Sequence, residues 1–431
     1  MTGRSFVCVD FGSTFTKAAH VSPDGELIAT ASHRTTIDTD VLDGLDACLS
    51  ELGSPDAEVL ACSSAGGGLR IAVVGNEELV TAEAGKRVAL SSGGKVVAVV
   101  AGPPALDDLN DPDVVLLTGG TDGGNEEVLL ECARALRAWE GPIVVAGNAE
   151  APVEEVLQGR TFVRAGNVMP RIGVLAPDSA RAAIREMFLA HVIGGKHLSS
   201  RGGFVEMVRG ATPDVVLTAV ELLAETAGDV AVVDVGGATT DVHSVVELDP
   251  DSVGREVVAT TRVTRTVEGD LGMRWSAVTT VAEAIAAGLV DEEARPVLEL
   301  AARGRQSHPG YLPDGPASQA LDETIAAAAI GVALRRHAGR SQVVYSPEGR
   351  VLERTGKDLR EVSLLVGSGG VLRHAADAVS VVRRHLSGEG GWQLPEHPQV
   401  VVDTDYVLAP AGLLAAQHRE VARRLLERLT R

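Results

Sequence analysis

The chain has 431 residues, a formal net charge of −20 and only 3% aromatic residues. It is too long for one small hydrophobic core, so two or three domains are expected. The negative charge argues against a protein that coats nucleic acid, because the phosphates would be repelled. A nucleotide site remains compatible with this charge, since backbone amides, lysine and Mg²⁺ can neutralise phosphates locally.

Cysteine usage and hydropathy indicate the cellular compartment. Cys8, Cys48, Cys62 and Cys132 lack the spacing of metal ligands or of a disulfide framework, which fits a reducing cytoplasm. We expect no signal peptide after Arg4 and no apolar run of the about 18 residues that a membrane helix needs. The sequence therefore predicts a soluble, cytoplasmic protein.

The N-terminal 57 residues predict the first part of a domain. Apolar runs separated by a turn of serine, proline, aspartate and glycine predict three antiparallel strands, and a helical pattern follows them. The strands are expected at Phe6–Asp10, Thr16–Val21 and Glu26–Ser32, and the helix at Thr39–Leu52.

Residues 58–175 show continuous apolar strands that alternate with helices. This pattern is typical of a parallel sheet covered on both faces, so we expect an inserted, Rossmann-like βα subdomain with its own doubly wound sheet. Its strands are predicted at Val59–Ala61, Val96–Val100, Val114–Leu117, Ile143–Ala146 and Thr161–Val163, and its helices at Glu126–Ala138 and Val153–Leu157.

Residues 176–214 predict a connecting segment with a helix at Asp178–Ile193, and residues 215–375 predict a second large domain. The last segment, residues 376–431, is expected to return to the first domain through an amphipathic helix at Ala411–Leu429. The second domain should contain strands at residues 231–248, Arg255–Thr264 and Leu364–Val366, helices at Arg274–Ala287, Glu292–Ala302 and Glu323–Arg336, and a surface loop at Arg303–Ser318.

Two stretches of the chain repeat one pattern. VCVDFGSTFTKAAHV lies near the N-terminus and AVVDVGGATTDVHSV in the second domain, so that Asp10 aligns with Asp234 and Gly12 with Gly236. A tight Gly/Ser/Thr turn between two strands exposes consecutive backbone amides that can hold an anion, and glycine leaves room for a phosphate. An aspartate directly before such a turn indicates a hydrated Mg²⁺.

The two copies differ in charge, because Lys17 aligns with Asp241. Two such loops facing each other, one from each domain, would hold a polyphosphate between them. Either loop alone is equally compatible with an ordinary hairpin turn. The chain has no Walker loop and no Gly-x-Ser-x-Gly elbow, so neither a P-loop enzyme nor a serine hydrolase is supported.

The motifs occur in the order found in the actin, heat-shock chaperone and sugar kinase superfamily. Asp10-Phe11-Gly12-Ser13-Thr14 with Lys17 resembles its first phosphate loop, and the DVGGATTD stretch resembles its second. LVGSGG resembles its adenosine motif, and VEGDLG its connecting element. The resemblance implies an α/β, two-domain actin-like ATPase fold with duplicated ribonuclease H-like domains, into which the βα subdomain is inserted.

The same resemblance implies roles for individual residues. Asp10 is expected to position Mg²⁺ through water, and Asp234 to orient the water that attacks the γ-phosphate of ATP. Asp241 is expected to join these two catalytic carboxylates at the metal. The remaining roles are phosphate binding by Gly12, Ser13, Thr14, Lys17, Gly236, Gly237 and Thr239, and adenosine binding by Glu268, Gly367, Gly369 and Gly370.

Over most of its length the chain resembles the glutamate mutase accessory proteins, called MutL or GlmL and unrelated to mismatch-repair MutL. DFGSTFTKAA, VVLLTGGTDGGNEE, PIVVAGN and RTVEGDLGMR also carry this resemblance. It implies an ATP-driven reactivating chaperone that releases damaged cobalamin from an adenosylcobalamin-dependent aminomutase. The mutase subunits are the expected partners, and a homo-oligomer is possible. The Asp-x-His-x-x-Gly signature is absent, so cobalamin is not expected on a histidine ligand of that kind.

The glycine-rich loop Thr118–Gly124 has two interpretations. It should lie at the carboxyl edge of a parallel sheet, where ligands often bind, but Asp122 and Glu126 disfavour phosphate there. Tight packing of strand on helix is the favoured interpretation. A further hypothesis is that the inserted sheet imitates the cobalamin-carrying subunit of a mutase and displaces it, so that deleting residues 80–165 would abolish mutase binding but spare ATP hydrolysis.

Two alternative functions stay open. A small-molecule kinase of the same fold would need a general base near an acceptor hydroxyl, and no such base is identifiable. A scaffold that binds nucleotide without hydrolysis would not need Asp10, Lys17, Asp234 and Asp241 together.

Overall fold

The computed structural model describes residues 4–53, 56–247, 261–346 and 349–431. The chain forms two compact units. The first contains residues 4–219 and the segment Ala409–Leu425, and the second contains residues 220–247, Arg262–Leu408 and Leu426–Arg431. Among the described helices, none is both long enough and apolar enough to cross a bilayer.

The first unit contains two sheets. Its strands are β1 (Phe6–Phe11), β2 (Phe15–Val21), β3 (Leu27–Arg34), β4 (Glu58–Ser63), β5 (Arg70–Gly75), β6 (Lys95–Ala101), β7 (Val114–Leu117), β8 (Ile143–Val145), β9 (Phe162–Arg164) and β10 (Val208–Ala211). Its helices are α1 (Val41–Leu52), α2 (Glu83–Ser91), α3 (Glu127–Ala135), α4 (Val153–Val156), α5 (Asp178–Met187), α6 (Ile193–Gly195), α7 (Phe204–Met207) and the start of α8 (Thr212–Ala227).

The second unit contains one five-stranded sheet and one hairpin. Its strands are β11 (Val230–Val235), β12 (Thr240–Val245), β13 (Val263–Glu268), β14 (Arg340–Ser346), β15 (Gly349–Thr355), β16 (Leu364–Ser368) and β17 (Gln399–Val402). Its helices after α8 are α9 (Ala277–Ala286), α10 (Arg295–Ser307), α11 (Pro316–His337), α12 (Gly370–Arg373) and α13 (Ala378–Arg383). The last two helices, α14 (Leu408–Ala415) and α15 (Arg419–Leu426), belong to the first unit except for Leu408 and Leu426.

One sheet topology occurs twice. In the first unit the strand order is β10-β4-β1-β2-β3, and in the second it is β17-β16-β11-β12-β13. In both sheets the first three strands in sequence form an antiparallel meander, and the two later strands add in parallel beside the first. This repeated order confirms the predicted duplication of a ribonuclease H-like domain and with it the actin-like fold.

The inserted block forms a separate parallel sheet between β4 and β10 of the first sheet. Its strand order is β6-β5-β7-β8-β9, and all its described pairs are parallel. The chain reverses its winding direction between β5 and β7, as in doubly wound folds. The strands are apolar throughout because both faces are covered: Val73 packs in one core cluster and Val74 in another.

Several predicted elements differ from the observed ones. The strand predicted at Val59–Ala61 belongs to β4 of the first sheet, and not to the inserted sheet. The strand β5 was not predicted, although it lies at the centre of the inserted sheet. The helix predicted at Asp178–Ile193 is α5 followed by a π-helical turn at Phe188–Val192 and by α6.

The end of the chain also differs. The predicted helix Ala411–Leu429 is two helices, α14 and α15, and β17 keeps the preceding segment in the second unit up to Leu408. The predicted loop Arg303–Ser318 is shorter, because α10 continues to Ser307 and α11 begins at Pro316. The strand predicted at Arg255–Thr264 falls largely outside the described residues.

Helix α1 begins at a capping aspartate that also joins distant parts of the first unit. Asp40 accepts hydrogen bonds from the Leu42 amide at 2.9 Å, the Ser200 amide at 3.0 Å and the Ser199 hydroxyl at 2.9 Å. Burial opposes ionisation of Asp40, but these donors and Arg201 outweigh it and lower the pKa. One carboxylate therefore stabilises the helix N-terminus and a chain segment about 160 residues away.

We predict that Asp40→Ala lowers the free energy of unfolding by about 2 kcal/mol, because the amides and hydroxyls that donate to this carboxylate lose their acceptor. Urea denaturation followed by circular dichroism measures this change. Asp40→Asn is the matched control: it keeps one acceptor oxygen for Leu42 and should lose clearly less. Equal stability of wild type and Asp40→Ala would contradict this role for the cap.

Candidate functional site

The first predicted phosphate loop is a tight turn between β1 and β2. Asp10 pairs with Lys17 across the two strands. The Gly12 amide donates to the Phe15 carbonyl at 3.1 Å, and a Cβ on Gly12 would lie only 2.7 Å from that oxygen. Closure of the turn therefore requires glycine at this position. The reason predicted from the sequence was a different one, namely that glycine leaves room for a phosphate.

The second predicted loop, between β11 and β12, repeats this geometry. Asp234 pairs with Asp241 across the strands. The Gly236 amide donates to the Thr239 carbonyl at 2.8 Å, and a Cβ on Gly236 would lie 2.9 Å from the same oxygen. By contrast, a Cβ on Gly237 would have nothing closer than Arg274 at 3.8 Å. The repeat seen in the sequence is therefore a repeat of backbone structure.

The carbonyl groups of the first loop point toward Thr35. Its hydroxyl donates to the Gly12 carbonyl at 2.8 Å, and its amide donates to the Thr14 carbonyl at 2.9 Å. Within the described residues, the amides of Ser13 and Thr14 donate no hydrogen bond, and both residues are exposed. The loop therefore presents amide groups outward, as a site for an anion requires.

A different segment holds the carbonyl groups of the second loop. The Arg274 amide donates to the Gly237 carbonyl at 2.7 Å, and the Ser276 hydroxyl donates to the Ala238 carbonyl at 2.7 Å. In the part of the chain that the structure describes, the amides of Gly237, Ala238 and Thr239 find no acceptor. The second loop thus has the same polarity as the first, although an unrelated segment supports it.

The Asp10 carboxylate is fixed on one side. The Thr212 hydroxyl donates to Oδ1 of Asp10 at 2.6 Å, and the Cys62 thiol lies 3.7 Å from the same oxygen. The other oxygen, Oδ2, lies 4.0 Å from the position of a Cβ on Gly12 and so faces the loop. Oδ2 is therefore placed to accept from a water of a hydrated cation bound beside the loop.

Asp241 has a protein partner. Nη2 of Arg265 lies 2.6 Å from Oδ1 of Asp241, and the Arg265 side chain is 3% exposed. The Thr239 hydroxyl donates to the other oxygen at 3.2 Å. A buried guanidinium therefore already neutralises Asp241, and the metal role of Asp241 stays a prediction.

No group of three or more histidine, cysteine, aspartate and glutamate residues that could hold a metal ion occurs among the described residues. The site predicted here is of another kind, since Mg²⁺ is commonly held by one or two carboxylates, waters and substrate phosphates. The outward amides and the oriented Asp10 carboxylate fit that kind of site.

The predicted adenosine motif lies beside the second phosphate loop. Ser368 is the ladder neighbour of Asp234. Gly369 has a φ of +118°, and a Cβ there would lie 2.3 Å from the Val235 carbonyl oxygen. A Cβ on Gly367 would lie 2.7 Å from Val382, so core packing also demands glycine. At Gly370 the nearest atom to an added Cβ would be the Tyr406 hydroxyl at 3.8 Å.

Glu268 lies at the same edge of the second sheet but is ion-paired. It is the ladder neighbour of Thr240, and Oε2 accepts from Nη1 of Arg336 at 2.8 Å. Burial raises the pKa of the Glu268 carboxyl, and Arg336 only partly offsets this. Arg336 also binds Asp270 and Glu283. The adenosine role of Glu268 remains a prediction, which its contact with Arg336 neither requires nor prevents.

Asp403 is a buried carboxylate at this edge that was not predicted from the sequence. Asp403 follows β17, and its oxygens accept from the Val407 amide at 2.8 Å and the Leu408 amide at 3.2 Å, at the start of α14. Burial raises its pKa to about 6; the two amides oppose this rise, and the charge of Asp234 adds to it. A single acid after a short strand gave no signal in the sequence.

The structure groups the predicted residues within each unit. In the first unit Asp10, the loop after it and Lys17 lie at one end of β1 and β2. In the second unit, ladder pairing places Asp234, Asp241, Ser368 and Glu268 at one edge of the sheet.

The loop Thr118–Gly124 is fixed by asparagines of neighbouring loops. Asn148 donates to the Gly124 carbonyl at 3.0 Å, and Asn167 donates to the Gly120 carbonyl at 2.9 Å. A Cβ on Gly119, whose φ is +146°, would lie 1.9 Å from the Asn76 side chain. These contacts favour the interpretation of this loop as a packing element.

A model of the family described as MutL protein matches residues 6–430. Protein MutL of Clostridium tetanomorphum is 34% identical over 465 aligned residues, which cover 98% of each protein. Similar solved structures include nucleotide-free acetone carboxylase, at 15% identity and a TM-score of 0.41, covering 96% of this chain and 70% of that one. A ROK family glucokinase from Streptomyces griseus with glucose and AMPPNP shows 11% identity, a TM-score of 0.34 and 99% coverage of both chains. With TM-scores this low, the fold assignment rests on strand order.

We predict that Gly236→Ala destabilises the second unit, whereas Gly237→Ala does not. The added Cβ would overlap the Thr239 carbonyl in the first variant and would find open space in the second. Differential scanning calorimetry should show a transition about 4 °C lower or more for Gly236→Ala, as expected for a loss of at least about 1 kcal/mol. Equal transitions for the two variants would contradict the steric argument.

A second prediction concerns pH. Burial raises the pKa of Asp403 from 3.8 to about 6 in the folded protein. Between these two pH values the folded state therefore keeps a proton that the unfolded state has lost. The contribution of Asp403 to the free energy of unfolding is therefore fully present below pH 3.8 and is lost as the pH rises through about 6. Asparagine does not titrate, so the Asp403→Asn variant does not lose this stability. The free energy of unfolding of the variant, relative to that of wild type, should therefore rise by about 3 kcal/mol between pH 3.5 and 7.

Urea unfolding of both proteins across this pH range measures the difference. Asparagine cannot accept the hydrogen bond from the Leu408 amide, and this loss changes the free energy of unfolding of the variant by the same amount at every pH. The prediction is therefore tested by how the difference between the two proteins changes with pH. Parallel curves for wild type and Asp403→Asn would show that Asp403 titrates normally.

Proposed function

Because the chain belongs to the MutL protein family, we propose that it is a cytoplasmic, ATP-hydrolysing accessory protein of an adenosylcobalamin-dependent aminomutase of the glutamate mutase type. Binding and hydrolysis of ATP would drive the release of damaged cobalamin from the mutase. The observation that carries the ATPase part is the pair of loops that turn their carbonyls inward and their amides outward, each preceded by an aspartate.

Each of the two loops supplies proposed phosphate ligands. The amides of Ser13 and Thr14, with Lys17, would bind phosphate oxygens from the first unit, and the amides of Gly237 and Thr239 from the second. Such donors stabilise the charge on the transferring phosphoryl group without a covalent step. Because their carbonyl partners are fixed, these amides need little reorganisation when phosphate binds.

The two aspartates would divide the remaining work. Oδ2 of Asp10 would accept a hydrogen bond from a water on Mg²⁺, and Asp234 would orient the attacking water. Magnesium, when bound, would neutralise phosphate charge as the leaving group departs. The adenosine moiety would lie against Gly369 and Gly370, beside Asp234.

The partner is the finer part of the proposal and rests on the family alone. We expect the mutase subunits to bind one nucleotide state of the chain more tightly than the other, since a ligand shifts a conformational equilibrium only through such a difference. Hydrolysis would then change the affinity for the mutase.

We predict that Asp10→Asn and Asp234→Asn each lower the kcat of ATP hydrolysis by about 100-fold or more, because metal and water lose their orientation. Phosphate release with Mg²⁺ and ATP measures the rate. The matched control is Asp38→Asn, at an exposed acid of the first unit, which also contains Asp10. Its kcat should equal that of wild type. Full activity of both site variants would refute the assignment.

The partner is tested separately with a mutase inactivated on cobalamin. The wild-type chain should restore mutase activity only when ATP, Mg²⁺ and free adenosylcobalamin are all present, and Asp10→Asn should not restore it. Turnover that instead requires a sugar or an acid as phosphate acceptor would identify a kinase and would contradict the chaperone proposal.

A further inference from the structure

Thr212 stands at a junction in the first unit. It follows β10 directly and is the first residue of α8. Strand β4 lies between β10 and β1 in the sheet, and yet the Thr212 hydroxyl reaches Asp10 at the end of β1, at 2.6 Å. The contact joins residues 202 positions apart in the sequence.

The direction of this hydrogen bond is fixed by chemistry. An ionised carboxylate only accepts, so the hydroxyl must donate, and a hydroxyl has one proton to give. The Cys62 thiol approaches the same oxygen, Oδ1, at 3.7 Å. Both neighbours therefore hold Oδ1, and rotation of the carboxylate about its last bond would break the shorter contact. The oxygen Oδ2 is left facing Gly12 and the phosphate loop.

The second unit provides an internal comparison. Its strand β17 corresponds to β10 in the repeated topology, and the residue that follows it is Asp403. Asp403 uses its oxygens to accept from the amides at the start of α14. The first unit has a hydroxyl at the corresponding place, and this hydroxyl donates to the loop aspartate. The duplicated fold thus places a donor beside Asp10 and a negative charge near Asp234.

We propose that Thr212 is a positioning residue, whose hydroxyl orients the Asp10 carboxylate so that Oδ2 accepts from the water shell of the magnesium of ATP. This inference rests on the proposed function. It predicts an effect on catalysis and on magnesium dependence that a purely structural threonine would not have.

The test compares Thr212→Val, which keeps the shape of the side chain but has no hydroxyl, with Thr212→Ser, which keeps the hydroxyl. We expect Thr212→Val to lower the kcat of ATP hydrolysis by about 10-fold and to raise the Mg²⁺ concentration for half-maximal rate by about 3-fold or more, as loss of a hydrogen bond to a charged group predicts. Thr212→Ser should stay within about 2-fold of wild type in both. Nucleotide binding measured without Mg²⁺ should be the same in all three proteins.

The outcomes separate the two proposals. If wild type hydrolyses ATP and Thr212→Val matches it in kcat and in magnesium dependence, the inference about Thr212 is wrong and the proposed function stands. If wild type shows no hydrolysis with Mg²⁺, alone or with a mutase, both are wrong. If Thr212→Val does not fold, the test rests on Thr212→Ser, which keeps the hydroxyl. A fall of its kcat to the level of Asp10→Asn would show that the hydroxyl does not position the carboxylate, and the inference would be wrong.

Discussion

The hydrogen bond that closes each predicted phosphate loop constrains the other groups of that loop. Gly12 donates to Phe15 in one unit and Gly236 donates to Thr239 in the other, and neither bond leaves space for a side chain at the donor. Once the turn is closed, its carbonyls meet donors from the protein, and its remaining amides face outward. The proposed binding of an anion would therefore follow from backbone geometry, to which side chains add charge and orientation.

Duplication explains the resemblance of the two halves, and local substitutions explain how they differ. The strand order is the same, so each unit brings an aspartate to the same edge of its sheet. Lys17 faces Asp10 in one unit, whereas Asp241 faces Asp234 in the other and is neutralised by Arg265. This asymmetry fits the proposal that Asp10 serves a metal and Asp234 serves water.

The sequence predicted what depends on local pattern. The meander, the repeated loops and the parallel insertion all follow from apolar runs and glycine placement over short stretches. Thr35, Thr212 and Arg265 were missed because their roles arise from strand pairing between distant segments, which no spacing reveals. The ion pair of Asp241 could not be predicted for the same reason, since its partner Arg265 lies on β13, 24 residues away.

The central claim is that each of the two repeated loops offers its free backbone amides to the phosphates of a nucleotide. The most direct measurement is a crystal structure of the chain with Mg²⁺ and a non-hydrolysable ATP analogue. If the claim is right, phosphate oxygens lie within hydrogen-bonding distance of the Ser13 and Thr14 amides in the first loop, and of the Gly237 and Thr239 amides in the second. A nucleotide whose phosphates lie away from these amides would contradict it.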